Sequence, residues 1–143
     1  MRFPEWLKVY GDLSFRGDCP PESAEQVTFF NELRRHHPNS WGRIALHPRN
    51  EGKRHYAQVN REKLEGMAAG ASDVIIPGSP AFVCEIKRRD HTQSKWQKDQ
   101  LPYIEAAHNA GAFVCVALGV EAALAAFDDY LMVVTAGKTP RNG

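Results

Sequence analysis

The stretch from Ala71 to Lys87 constrains this chain more than any other. Residues 71–76 form an apolar run that carries Asp73, Pro77-Gly78-Ser79-Pro80 is a cluster of turn formers, and residues 81–87 form a second apolar run. Two such runs around such a cluster predict a β-hairpin. Side chains alternate faces along a strand, so Ala81, Val83, Glu85 and Lys87 share one face. Phe82, Cys84 and Ile86 take the other, which reads as the core face. Pairing of the two strands brings Asp73 close to Glu85. Two carboxylates and an ammonium then share one patch, and neighbouring carboxylates repel unless a cation, such as a divalent metal ion, sits between them. The same letters also fit an ordinary solvated strand face with Asp73 in the turn.

Around this hairpin the chain divides readily. Residues 1–22 lack periodicity and read as an irregular arm, whose Trp6, Leu7, Val9, Tyr10, Leu13 and Phe15 would pack on the body or on a second subunit. Pro21-Glu22-Ser23 opens a helix, with Ser23 and Gln26 in capping-box spacing, and Pro38 ends it near His36-His37. Glu25 lies in its first turn, where a carboxylate also suits the helix dipole. Residues 40–47 read as a strand, residues 48–55 as a polar loop, and residues 58–67 as a short helix with Val59, Leu64 and Met67 apolar. Gly66 and Gly70 then suggest a helix end and a close backbone approach. Ser94 and Gln97 repeat the capping-box spacing, which predicts a helix from Ser94 to about His108, bent at Pro102. Gln100, Tyr103 and Ala107 fall on one face of it. Residues 112–118 are a buried central strand, residues 120–130 an Ala-rich helix, residues 131–135 an edge strand, and residues 136–143 a frayed tail.

The residues resemble a known family at this point. Asp73 followed by Glu85-Ile86-Lys87 is similar to the core of the PD-(D/E)xK nuclease superfamily. Glu25, Asn50-Glu51-Gly52, Gly70-Ala71-Ser72-Asp73, Gln100-Leu101-Pro102-Tyr103 and Gly111-Ala112-Phe113-Val114-Cys115-Val116 resemble its VRR-NUC branch, in order, over roughly residues 23–127. Ser72 departs from the Pro usual before the Asp. The resemblance implies an α/β domain at 23–135 with a restriction-endonuclease-like mixed β-sheet flanked by helices. It implies a parallel, right-handed crossover from the Glu85 strand to the Phe113 strand.

It also implies roles. Asp73, Glu85 and the Ile86 carbonyl would hold Mg²⁺ or Mn²⁺, with Glu25 as a direct or water-mediated ligand. Lys87 would orient or deprotonate the attacking water or steady the phosphate. Gln100 would position the network around Lys87, with Tyr103 nearby on its helix. Arg88, Arg89, Lys95 and Lys98, with Arg49, Asn50, Lys53 and Arg54 of the loop, would hold the substrate backbone. The implied activity is metal-dependent cleavage of DNA, structure-selective on branched substrates such as Holliday junctions or flaps, by a homodimer. The alternatives are a binding module of the same fold that does not cut, and an interaction protein using the aromatic arm.

Composition fits. With 143 residues, 43% apolar and 24% charged, the chain suits one globular domain. Its net charge of +1 means that affinity for nucleic acid must come from local clusters, densest at residues 34–63. No apolar run is long enough to span a membrane, and no signal core opens the chain. Cys19, Cys84 and Cys115 are widely spaced without a Cys-x-x-Cys motif, which supports neither a disulfide framework nor a zinc site and fits a reducing cytoplasm.

Overall fold

The structure, a computed structural model, describes residues 1–48 and 56–137. Along them run β1 (Lys8–Tyr10), α1 (Glu22–His36), α2 (Trp41–Ile44), α3 (Tyr56–Leu64), β2 (Val74–Ile76), β3 (Phe82–Lys87), α4 (Gln100–Asn109), β4 (Phe113–Leu118) and α5 (Val120–Ala136). Arg49, Asn50, Lys53 and Arg54, and the tail from residue 138 on, lie outside the described residues.

The strands form one mixed sheet in the order β1-β4-β3-β2. β2 and β3 are the expected hairpin, antiparallel, with Val74 opposite Cys84. β3 and β4 are parallel, with Glu85 opposite Val116, and β1 joins β4 in parallel. Strand alternation gives the sheet two apolar faces. Phe82, Cys84 and Ile86 of β3 and Cys115 and Ala117 of β4 pack with Phe29 and Leu33 of α1 and Ala123, Phe127 and Tyr130 of α5. Val83, Val116 and Leu118 face Ile104 of α4 and Leu7 of the N-terminal segment. Phe82, Ile86 and Tyr130 are fully buried, and each such side chain contributes about 1.5–3 kcal/mol by leaving water. On the α4 face, the alternation that buries Val83 carries on to Glu85 and Lys87, so the site grows out of the end of a core strand. This is the α/β, restriction-endonuclease-like architecture, a mixed sheet flanked by helices.

Several local expectations are overturned. The arm is not wholly irregular, because residues 8–10 add β1 to the sheet edge. Where a strand was expected over residues 40–47, Trp41–Ile44 make α2, and Leu46 alone bridges to Ile75. The reason is Gly42: a Cβ there would meet His37 O, Arg34 Cα and Leu33 O at 2.6–2.8 Å, so only glycine lets this turn lie on the α1 backbone. α1 begins at Glu22 after Pro21, and Ser23 makes no cap. α4 starts at Gln100, not Ser94, which puts Pro102 in its first turn, where a missing N–H costs no helical bond and no bend is needed. α5 runs through residues 131–135, because Val134 falls on the buried face that carries Phe127 and Tyr130. α3 ends at Leu64 rather than Met67, and Leu64 is 90% exposed.

Candidate active site

Asp73 precedes β2 by one residue, and its carboxylate continues the hairpin ladder. Its Oδ2 accepts the Ile86 N–H at 2.8 Å. The His47 ring fixes the same residue from behind, with Nδ1 2.8 Å from the Asp73 carbonyl oxygen. Lys87 turns its carbonyl to β4, where it accepts the Gly119 N–H at 2.9 Å. Backbone groups alternate along a strand, so the Ile86 carbonyl points the other way, to the Asp73 side.

Glu85 and Lys87 are 2% and 1% exposed. Their burial is offset by a polar network. The Lys87 ammonium donates to Gln100 Oε1 at 3.0 Å and to the Lys95 carbonyl at 2.9 Å. The amide nitrogen of Gln100 donates to Glu85 Oε1 at 3.0 Å, and its Oε1 also accepts the Gln97 N–H at 2.7 Å. Gln100 thus joins the two charged strand residues, with both ends of its amide engaged. Glu85 Oε2 is buried and has no hydrogen-bond partner. Burial pushes the Glu85 carboxyl well above the usual carboxylate range, and the Asp73 charge beside it pushes the same way against the pull of Lys87.

The helix carboxylate that reaches this cluster is Glu22, one turn before Glu25. Glu22 Oε1 lies 4.0 Å from Lys87 Nζ and accepts the Ser94 hydroxyl at 2.8 Å. Glu25 is buried elsewhere, and its Oε2 accepts the Val120 N–H at 2.6 Å at the start of α5. It serves that helix as a cap. The two acids lie about 60° apart around the helix, too close in phase for a sequence pattern to separate. Glu22, Ser94, Gln97 and His47 are the participants that sequence reasoning missed.

Asp73 and Gln100 open onto a cleft of about 1010 Å³, lined also by Glu22, Ser23, Gln26, His47, Arg88, Ser94, Lys95 and Lys98. Lys95 and Lys98 are exposed on its rim. Arg88 is tied down, donating to the Cys19 carbonyl at 2.6 Å. Arg89 leaves in another direction, over the Phe15 ring at 4.6 Å, into a separate cleft of about 570 Å³. Tyr103 does not line the large cleft; it packs among Leu7, Val83 and Ile104, where burial raises its hydroxyl pKa.

Among the described residues, no group of three or more His, Cys, Asp and Glu forms a metal cage. The donor set that is present still fits a hard divalent cation. It offers two facing carboxylates, one with an orphaned buried oxygen, and a backbone carbonyl on their side. Mg²⁺ keeps several waters and is held through one or two carboxylates, so it needs no all-protein cage.

No helix of the described residues is long and apolar enough to cross a membrane. Neither a family model nor a curated protein matches the sequence. Among solved structures, a VRR_NUC domain protein matches with a TM-score of 0.63 and 21% identity, over 81% of this chain and 92% of that one. The resemblance read from the residues therefore extends to the backbone, and this chain has the fold of that VRR_NUC domain protein.

Proposed function

We propose that this chain is a divalent-metal-dependent deoxyribonuclease. The observation that carries the reading is the buried Asp73–Glu85–Lys87–Gln100 network, which meets a polar cleft through Asp73 and Gln100 and leaves one Glu85 oxygen without a partner. Asp73, Glu85 and the Ile86 carbonyl would hold Mg²⁺ or Mn²⁺, with Glu22 in the place first expected of Glu25. A bound ion would supply charge for the developing phosphorane oxygens and lower the pKa of its water. The protein's own groups do the rest. Lys87 holds its ammonium at a fixed point 3.9 Å from Glu85 and 4.0 Å from Glu22, where it steadies a phosphate oxygen or orients the attacking water. Gln100 keeps Lys87 and Glu85 in register with each other. Lys95 and Lys98, with Arg88, line the path of the DNA backbone, and phosphate neutralisation there makes binding salt-dependent.

The substrate we infer is branched DNA, cut by a homodimer, since a two-fold pair of sites supplies two symmetry-related incisions. The test is cleavage of labelled four-way junction, flap, linear duplex and single-stranded DNA, with Mn²⁺ or EDTA, beside Lys87→Ala. Cutting that needs metal and drops at least about 10²-fold in the variant supports the reading. Binding without cutting in any metal would replace it with a binding module. Calorimetric titration of Mn²⁺ into wild type and Asp73→Ala checks the ligands, and equal binding would remove Asp73 from them. A monomer by light scattering that cuts linear and branched DNA equally would end the branched-substrate proposal.

A further inference from the structure

Residues 1–7 precede the region that resembles known nucleases, yet they pack directly behind the candidate active site. Resting on the nuclease reading, we infer that Trp96 is a positioning residue for Lys87, and that the segment around Arg2 and Phe3 holds Trp96 in place.

A lysine carries its charge on a flexible four-carbon stem, so a buried ammonium is useful only where its surroundings fix it. Lys87 has three N–H donors. Two go to Gln100 Oε1 and the Lys95 carbonyl, and Glu85 Oε1 and Glu22 Oε1, the latter lining the cleft, lie at 3.9 and 4.0 Å. Behind it stands the Trp96 ring, its centroid 5.7 Å from Nζ. A ring face attracts the ammonium without offering an acceptor that would turn the remaining N–H away from the carboxylates.

The Lys95 carbonyl and Trp96 both belong to residues 94–99, a connection with neither helix nor strand. Its ends are tied by Ser94 to Glu22 and Arg88 and by Gln97 to Gln100, and the Trp96 side chain between them is held by the N-terminal segment. The Trp96 indole N–H donates to the Arg2 carbonyl at 2.8 Å. Phe3 meets the Trp96 ring edge-on at 6.1 Å and meets the His91 ring in the same way at 5.7 Å. His91 sits in the 3-10 turn His91–Gln93, before the connection. Phe3 therefore bridges the turn to the connection, and Leu7 seals it onto the sheet in the same apolar cluster. This gives the N-terminal segment a task beyond extending the sheet: it sets the height and direction of Lys87.

The test compares wild type with Trp96→Leu, Trp96→Phe and Phe3→Ala, each first shown to be folded by thermal unfolding. Each is assayed for kcat and KM on the best DNA substrate. Each is also briefly acetylated with an N-hydroxysuccinimide ester, and labelling of Lys87 is read by peptide mass spectrometry. We expect kcat to fall about 10²-fold in Trp96→Leu with KM nearly unchanged, as a misplaced group near the chemistry would give. Trp96→Phe keeps a ring face and should stay within about threefold to tenfold of wild type. Lys87 should be protected in wild type and Trp96→Phe and labelled in Trp96→Leu, with Phe3→Ala between them. A folded Trp96→Leu with wild-type kcat and a protected Lys87 would overturn the inference. If Trp96→Leu does not fold, Phe3→Ala decides by the same labelling, since Phe3 meets the Trp96 ring and does not line the cleft. If wild type cuts no DNA but the labelling order holds, the positioning stands and the nuclease reading falls.

Discussion

Gln100 is the residue on which the network turns. It accepts from Lys87 and from the Gln97 N–H and donates to Glu85, so one amide orders an ammonium, a carboxyl group and the start of a helix. Gln100→Leu should leave the fold intact and lower single-turnover cleavage about 10–100-fold, the range seen when an outer partner of a metal site is removed. An unchanged rate would mean that Lys87 is held well enough by Lys95 alone. The two helix acids give a second prediction. Glu25→Ala should reduce stability by about 1–2 kcal/mol in urea unfolding through loss of the α5 cap, with little effect on cleavage. Glu22→Ala should do the reverse. Asp73, Glu85 and Lys87 could be brought together from sequence because strand alternation and one turn cluster determine which side chains meet; Gln100, on a helix, came only with the family resemblance. Glu22 could not, because nothing in the letters distinguishes it from Glu25 until the helix is docked.

At the scale of elements, the contact between Gly70 and Asp99 sets where α4 begins. Gly70 has φ +74°, and a Cβ on it would collide with the Asp99 carbonyl group. Asp99 itself is left-handed at φ 69°, just before Gln100. Gly70→Ala therefore strains two backbones that cannot both move aside. We expect a stability loss of about 1–3 kcal/mol or more, and a fall in cleavage beyond what the unfolded fraction explains, read from urea midpoints and rates on the same samples. The need for close approach at Gly70 was legible, since glycine before a strand is a known signal; its partner was not. The long elements with clear periods, α1, β3, β4 and most of α5, follow their sequence patterns. Those that depart, such as α2 and β1, are short and take their form from what they lie against. Residues 40–47 carry strand-like apolar letters, yet Gly42 admits the α1 backbone, and tertiary packing wins.

For the whole molecule, Asp90 fastens the arm to the body. It accepts from the Gly17 N–H at 3.0 Å and from Gln93 at 3.1 Å with one oxygen, and from Thr92 with the other. These bonds, that of the Thr92 hydroxyl foremost, hold its carboxyl well below the usual carboxylate range. A depressed folded-state pKa gives stability that is fully present above the unfolded value, about 3.9, and is lost as pH falls below it. Asp90→Asn should therefore be less stable than wild type at pH 7, and the gap should close as pH drops through about 4 and below. Urea midpoints across that range check it, and a gap that widens in acid would contradict it.

The in-line placement of Glu85, Ile86 and Lys87 on the central strand has one more consequence. Sliding β3 by a single residue against β4 would exchange its two faces, driving Glu85 and Lys87 into the layer beneath α1 and α5 and turning Cys84 and Ile86 toward α4. A chain mispaired in this way would lose its core and its chemistry together. On the proposed nuclease reading, cleavage would therefore report strand pairing: only molecules whose central strand is in register could contribute to it.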